Sequence, residues 1–529
     1  MGPEANIGSI MALEKQIEEG LGDIIQLKRV RNSLLNISTR VPPEILGQVF
    51  HWNVIPEGVF DGLQKGSYNF LLVCHHWFEV ASGTPELWAF WGNSLAQWSQ
   101  RYRCSGTAPL DLVLRAGGCV TNRNNTPFDG PVRDALRDRA ACDSIRSVHL
   151  AVGDKNLLRS IISSLTPDGE GIRCSSIESL RVENANFDVS KFLARHRFPK
   201  LRLLHLFTSV ISPCDLLKTQ ATSLTTLKLG FFADQNSPTI SEMLLILASY
   251  PELRNLTLYN TTIPHDIDDG STFRVPLHRL KKLELSGDCY HVFRLLHQLE
   301  YPDTMDRVHL FLLDCTEEGV PEFIKPYLQD RIRCDDRFRG RLGIDVSCAT
   351  RSFSFEVKLL DKFNTPNTLP GHGYPSVSLE VGFGVRLSQG AEERYCIDLI
   401  ALTPRECVVG FTGGLRTDVM RTLLATMPNI EDLALEELVI SDVFLRPDPV
   451  SRTKILPSLR RLRLTNFTLQ DDDDWSPLIT YLEHQTSGGQ AISLSLYGDH
   501  PPIPPEVAWE MKGLAEELNL AYPDEDEEY

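Results

Sequence analysis

No apolar run in this 529-residue chain approaches the ~18 residues that a bilayer-spanning helix needs. The basic-then-apolar layout of a signal peptide is missing too, because Glu14, Glu18 and Glu19 interrupt the first stretch. Gly2 follows Met1, but Pro3 and Asn6 stand where a myristoylation signal wants other residues. The 12 cysteines include no C-x-x-C pair, which excludes a disulfide framework or a zinc pattern and fits buried, reduced thiols. Positive charge is short: the formal net charge is −17, so neither a nucleic acid nor a membrane surface is an expected partner. A cytoplasmic or nuclear protein is expected, not a secreted one, and sequons such as Asn255-Leu256-Thr257 then carry no meaning. The apolar share of 42% and charged share of 23% are those of an ordinary folded domain.

Catalytic signatures are lacking as well. There is no G-x-x-x-x-G-K-[ST] phosphate loop and no G-x-S-x-G elbow. The glycine pairs Gly371/Gly373 and Gly382/Gly384 do not continue into G-x-G-x-x-G before a helix, and they read as loop and strand-edge glycines. Cys74-His75-His76 could suggest a metal or a nucleophile. Adjacent helical residues point about 100° apart, and no second Cys/His pair at ligand spacing supports ligation, so Cys74 reads as core filler. Asp471 to Asp474 lacks the glycine and distal glutamate of a calcium loop. Trp77, Trp88, Trp91 and Trp98 read as packing or interface residues before they read as a ligand cage. The expectation is therefore no enzyme, no cofactor and no metal.

What is present begins with an amphipathic helix in residues 1–37. Ile10, Leu13, Ile17, Leu21, Ile24 and Leu27 recur at helical spacing between charged residues. Gly20 and Gly22 break the seam, so a helix laid on the next domain is favoured over a dimerising coiled coil. Residues 38–105 follow as a helical domain. Arg40 to Pro43 is expected to be extended, because a residue before proline avoids the helical region, with Pro43 opening a helix. Ile45, Leu46, Val49 and Phe50 give that helix its apolar face. Residues 52–68, with Pro56, Gly58, Gly62 and Gly66, form an insert. Asn69 to Ala81 reads as a second helix with Phe70, Val73, Trp77 and Val80 on one side. Thr84-Pro85 starts a third that carries Leu87, Trp88 and Trp91.

The blocks V-P-P-E-I-L (41 to 46), V-F (49, 50), N-F-L-L (69 to 72), V-C-H-H-W (73 to 77) and L-W (87, 88) resemble the F-box. Val41 replaces the usual first leucine, and the gap between blocks is several residues longer than usual. The resemblance covers about a tenth of the chain. It implies binding of a Skp-type adaptor and, through it, a cullin ubiquitin ligase. The implied adaptor contacts are Val41, Pro42, Pro43, Glu44, Ile45, Leu46, Val49 and Phe50, with Val73, Trp77 and Trp88 in the core or rim.

From residue 106 the pattern changes. Pro109 to Leu114 alternates like a strand, and then the phrase L-x-x-L-x-L returns. Its middle residues are Val148, Leu180, Leu204, Leu227, Leu256, Leu283 and Val308, then Leu433 and Leu462. The early steps of 32, 24, 23, 29, 27 and 25 residues straddle the period of leucine-rich repeats. Helical patterns lie between phrases, as in Ser241 to Tyr250 before Pro251 and Val292 to Leu299 before Pro302. Each unit cannot bury its own apolar face, so strands are expected to add in parallel with helices outside. Residues between the leucines, such as Thr257 and Tyr259, are expected to be exposed on the concave side. These repeats resemble those with which some F-box proteins hold a substrate, although the usual Asn or Cys after the strand keeps no fixed place.

Residues 340–412 read as strand-rich repeats or a hairpin insert, with a separate small β domain as the alternative. The strands there are 353–359, 377–383 and 396–402. The array is expected to run from 106 to 505. Residues 506–529 supply a capping helix, over 506–518, and the acidic stretch Asp524 to Glu528. The expected fold is α/β: an N-terminal helical F-box, then an irregular leucine-rich-repeat horseshoe of parallel strands and outer helices. The implied function is substrate recognition for a cullin-type ubiquitin ligase, with an unidentified protein as substrate. The alternative is a scaffold that binds a Skp-type adaptor outside any ligase.

Overall fold

A computed structural model gives the architecture. It describes residues 41–54, 69–91, 103–116, 143–152, 176–183, 198–207, 213–219, 221–230, 238–261, 273–302, 305–313, 342–349, 352–359, 378–383, 408–413, 424–436, 456–469, 475–487, 491–498 and 500–521, with scattered residues between. The described residues form an α/β protein with parallel strands and several helices. They fall into two units: Met1–His205 with Lys218–Ala221, and Leu206–Leu217 with Thr222–Tyr529.

The first unit holds helices α1 (Pro43–Val54) and α2 (His75–Ser82) and strands β1 (Phe90–Trp91), β2 (Leu110–Ala116), β3 (Ile145–Val152) and β4 (Ser179–Glu183). The four strands pair in sequence order, all parallel. Register aligns Leu112, Val148 and Leu180 in one row and Leu114, Leu150 and Val182 in the next. All six are buried. Alternating side chains point to opposite faces of a strand, so the apolar set goes to one side. The scattered residues described between 15 and 30 are helical. Ile24 and Leu27, expected to lie on the next domain, are 50% and 69% exposed, which corrects that expectation at these positions. Periodicity marks the apolar side of a helix; it does not say that anything covers it.

Strand β5 (Leu203–Phe207) and helix α3 (Pro213–Lys218) span the division between the units. The second unit continues with β6 (Thr226–Gly230), α4 (Ile240–Ala248), β7 (Asn255–Thr261), β8 (Val275–Pro276), β9 (Lys282–Asp288), α5 (Cys289–Gln298), β10 (Leu299–Glu300) and β11 (Arg307–Leu313). Strands β12 (Leu342–Ala349), β13 (Ser352–Leu359), β14 (Ser378–Phe383), β15 (Val408–Gly413), β16 (Asp432–Glu436) and β17 (Arg461–Thr465) follow. Helix α6 (Ser476–Ser487), β18 (Ile492–Tyr497), α7 (Pro505–Leu514) and β19 (Ala515–Ala521) complete it.

Leu227, Leu256, Leu283 and Val308 stand side by side on β6, β7, β9 and β11, all parallel, and Leu229, Leu258, Leu285 and Leu310 form the next row. Each is at most 2% exposed. Entry to each strand repeats one device: the N–H of Arg254, Lys281 and Asp306 donates to the carbonyl of Thr225, Arg254 and Lys281 in turn. The first leucine of the phrase is tied just before it, with Leu253 N–H donating to Tyr250 and Leu280 to Leu277. Helix α4 starts with a capping box between Thr239 and Glu242, and its Ile240, Met243, Leu244, Ile246 and Leu247 are buried. Helix α5 is capped by Asp288, which accepts from the His291 N–H at 3.3 Å.

The strands of 340–412 join this sheet in reversed order. β14 lies parallel beside β11, β13 is antiparallel to β14 and to β12, and β12 lies parallel beside β15. β15 to β19 then continue in parallel. β13 is the one antiparallel member among the described strands of this sheet. The strand expected over 396–402 lies outside the described residues, as does Asp471 to Asp474.

Two expectations change here. Thr257, expected to be exposed, is 3% exposed, with its hydroxyl donating to Glu284 Oε2 at 3.1 Å on the next strand. The closing helix ends at Leu514, and residues 515–521 form strand β19 instead. In α7 only Met511 is buried, while Trp509 is 76% exposed. One buried side chain gives a helix little to hold on to, whereas β18 presents an edge for pairing.

Candidate functional site

The first unit carries a small helical core. The Pro42 carbonyl accepts from the Leu46 N–H at 3.0 Å, and Pro43 occupies the first helical position, where its missing N–H leaves nothing unsatisfied. Four residues apart, Leu46 and Phe50 sit on the inner face of α1, 3% and 1% exposed. Phe50 stacks on Phe70 with centroids 4.4 Å apart and lies 5.0 Å from the Trp77 ring. Val80, Ala81, Leu87 and Trp88 complete the cluster, with Val41, Leu71, Trp77 and Cys104 packed against it. The Trp88 indole N–H donates to the Ala81 carbonyl at 2.7 Å. A Cβ on the buried Gly47 would stand 3.1 Å from Thr84 Oγ1, so the lack of a side chain lets α1 approach the Thr84 turn.

The expected second helix is broken. Residues 69–72 form a 3₁₀ turn, Cys74 is extended (φ −161°, ψ 167°), and α2 begins only at His75. The break turns Phe70 into the core, while Leu72 and Val73 are 85% and 53% exposed. The expected third helix is a 3₁₀ turn over Pro85–Leu87, and Trp91 belongs to β1 instead.

The eleven expected contact residues thus separate. Pro42, Pro43, Glu44, Ile45, Val49 and Val73 are exposed, with Ile45 at 48% and Val49 at 45%. Val41 and Trp77 are partly buried. Leu46 and Phe50, expected at the surface, are core residues, and Trp88 lies in the core, one of its two expected places. The physical reason is the helical repeat: Ile45 and Leu46 are about 100° apart, so one faces out when the other faces in. Leu72 and Phe78, the latter 41% exposed, were missed as surface residues. Only the break at Cys74 puts Leu72 outside, and nothing in the local sequence announces it.

The exposed side chains of α1 and the turn after it are largely apolar. Glu44 lies in the first turn of α1, where a negative charge is favourable. His75 Nδ1 lies 3.2 Å from Glu79 Oε1 one turn later, both exposed. Among the described residues, no group of three or more His, Cys, Asp or Glu side chains could hold a metal ion. No described helix is long and apolar enough to cross a membrane. No protein-family model matches the chain, and no curated protein matches it in sequence.

Proposed function

We propose that residues 41–91 dock onto a Skp-type adaptor and that the chain is the substrate-receiving subunit of a cullin-type ubiquitin ligase. The observation that carries this reading is the double-sided α1. Its inner stripe, Leu46 and Phe50, builds a core, while Pro42, Pro43, Ile45 and Val49 at its start and on its outer side are apolar and exposed. Exposed apolar clusters of this kind mark interaction sites. Val41, Glu44 and Val73 lie beside those residues or on the neighbouring turn as further contacts.

The parallel rows of leucines support a leucine-rich-repeat horseshoe, irregular at β12 to β14, as the substrate-holding part. The protein then has no catalytic residues of its own and works by proximity, holding a protein substrate near a charged conjugating enzyme. Its place is the cytosol or nucleus.

Co-purification with a Skp-type adaptor tests the reading. The wild-type chain is expected to bind, and an Ile45→Asp, Val49→Asp variant is expected to lose at least about tenfold in affinity while keeping its circular dichroism. A folded wild-type chain that fails to bind the adaptor overturns the proposal. Adaptor binding without cullin recruitment points to the scaffold alternative.

A further inference from the structure

On β6, β7, β9 and β11 the side chains that alternate with the buried leucines point to the other face of the sheet. Register sets them in three rows. The first is Thr226, Asn255, Lys282 and Arg307, and the second is Lys228, Thr257, Glu284 and His309. The third starts with Gly230 beside Tyr259 and continues with Ser286 beside Phe311.

The third row is aromatic. The Phe207 ring reaches across from β5, lies against Gly230 and meets the Tyr259 ring edge-on, with centroids 6.3 Å apart. Phe207, Tyr259 and Phe311 are each only partly buried. Apolar surface gathered on one exposed face marks an interaction site, and aromatic residues and arginine are what interface centres are enriched in. The ladder is also irregular at this row. Leu258 pairs with Leu285 and Thr261 with Gly287, so Tyr259 and Asn260 stand against Ser286 alone. Such a bulge re-aims the side chain it carries, and bulges recur beside active sites.

The first two rows carry the charge. Lys282 is exposed, and Lys228 and Arg307 are partly buried. Glu284 is the one carboxylate in these rows, and its Oε2 already accepts from the Thr257 hydroxyl at 3.1 Å. Cations thus outnumber carboxylates on this part of a chain whose formal net charge is −17. Beyond β11 the second row turns acidic, with Glu380, Glu356 and Asp345 in register, which bounds the basic part at β11.

We propose that the face of β5, β6, β7, β9 and β11 binds an extended segment of a protein partner in which carboxylates stand beside aromatic or aliphatic side chains. The apolar side chains of the segment lie on Phe207, Tyr259 and Phe311, and its carboxylates meet Lys228, Lys282 and Arg307. Charge complementarity favours this occupant. Five strands at about 4.8 Å spacing extend over about 19 Å, which six residues of extended chain span at roughly 3.3 Å each. The inference names the class of substrate and rests on the receptor reading above for its biological role; the binding itself needs only this sheet.

The test pans a phage-displayed library of random peptides, about 12 residues long, on the purified full-length chain, and then measures the enriched peptides as fluorescein conjugates by fluorescence anisotropy. Enriched sequences are expected to be net acidic with at least one aromatic or aliphatic side chain, and their binding is expected to weaken as salt rises. Lys228→Glu combined with Lys282→Glu is expected to weaken binding at least about tenfold, and so is Tyr259→Ala combined with Phe311→Ala. Lys512→Glu, on the exposed side of α7, is expected to leave it within about twofold. Circular dichroism checks the fold of each variant; Lys282 is exposed, so the charge reversal decides the matter even where the aromatic pair fails to fold. No enrichment, enrichment of basic or uncharged sequences, binding that survives either folded double variant, or tighter binding of an oligouridine of similar length overturns the proposal. A chain that binds the adaptor but selects no acidic peptide defeats this inference alone. A chain that selects such peptides but does not bind the adaptor defeats the receptor reading alone.

Discussion

Phe50 on α1 and Phe70 on the following 3₁₀ turn stack with their centroids 4.4 Å apart and their planes 10° from parallel. This contact joins the two blocks of the helical region across the insert between them. It makes Phe50 a structural residue, although the resemblance placed it at the docking surface.

Phe50→Ala is expected to destabilise the chain by about 3–5 kcal/mol, the range for removing a buried aromatic ring. Ile45→Ala, on the outer stripe, is expected to change stability by less than about 1 kcal/mol. Urea unfolding followed by circular dichroism separates the two. Equal losses at both positions contradict the division of α1 into an inner and an outer stripe.

Gly230 lies under the ring of Phe207, where a Cβ would stand 2.0 Å from Cδ2. The same ring meets Tyr259 edge-on at 6.3 Å. Gly230→Ala must displace Phe207, and a loss of about 1–3 kcal/mol is expected. In a Phe207→Ala background the same change is expected to cost much less, so the double-mutant cycle shows strong coupling. Additive losses rule out the ring as the cause.

Asn466 and Gly498 both have left-handed backbones, at φ 50° and φ 72°. The Asn466 N–H donates to the Tyr497 carbonyl at 3.1 Å, and a Cβ on Gly498 would stand 2.0 Å from Asn466 Oδ1. Asparagine tolerates this region better than most residues, and glycine enters it freely. Gly498→Ala is expected to lower thermal stability more than Gly489→Ala, where the backbone is also left-handed but the space is open. Equal losses at the two sites show that backbone strain alone matters.

Glu183 is held at about 2, below its ordinary 4.5, by the His149 imidazole beside it and, after the opposing effect of burial, by Arg181. His149 Nε2 lies 3.5 Å from Glu183 Oε1, and the imidazole is 1% exposed. The native value lies below the unfolded one, so the stabilisation is complete above about pH 4.5 and is lost as pH falls towards 2. Glu183→Gln is expected to be less stable than wild type at pH 7, with the gap closing between pH 4.5 and 2. Melting temperatures across that range measure it, and a gap independent of pH removes the charged pair as its source.

Local order made much of the architecture legible. The L-x-x-L-x-L phrases mark β3, β4, β5, β6, β7, β9, β11, β16 and β17, because a half-buried strand must alternate and each leucine must find cover. Pro43 marks the start of α1 because its ring excludes the helical region for the residue before it and suits the first helical turn. The apolar identity of the outer stripe, Pro42, Ile45 and Val49, was equally plain. What only the tertiary structure decided depends on neighbours far apart in sequence. Leu46 and Phe50 became core because Phe70 and Trp88 meet them from later turns. Thr257 was buried by Glu284, 27 residues on. Residues 515–521 became a strand because β18 offered an open edge, which no window of the local sequence contains. Alternation and proline act within a few residues and can be read from the chain; burial and edge pairing are supplied by partners that only folding brings together.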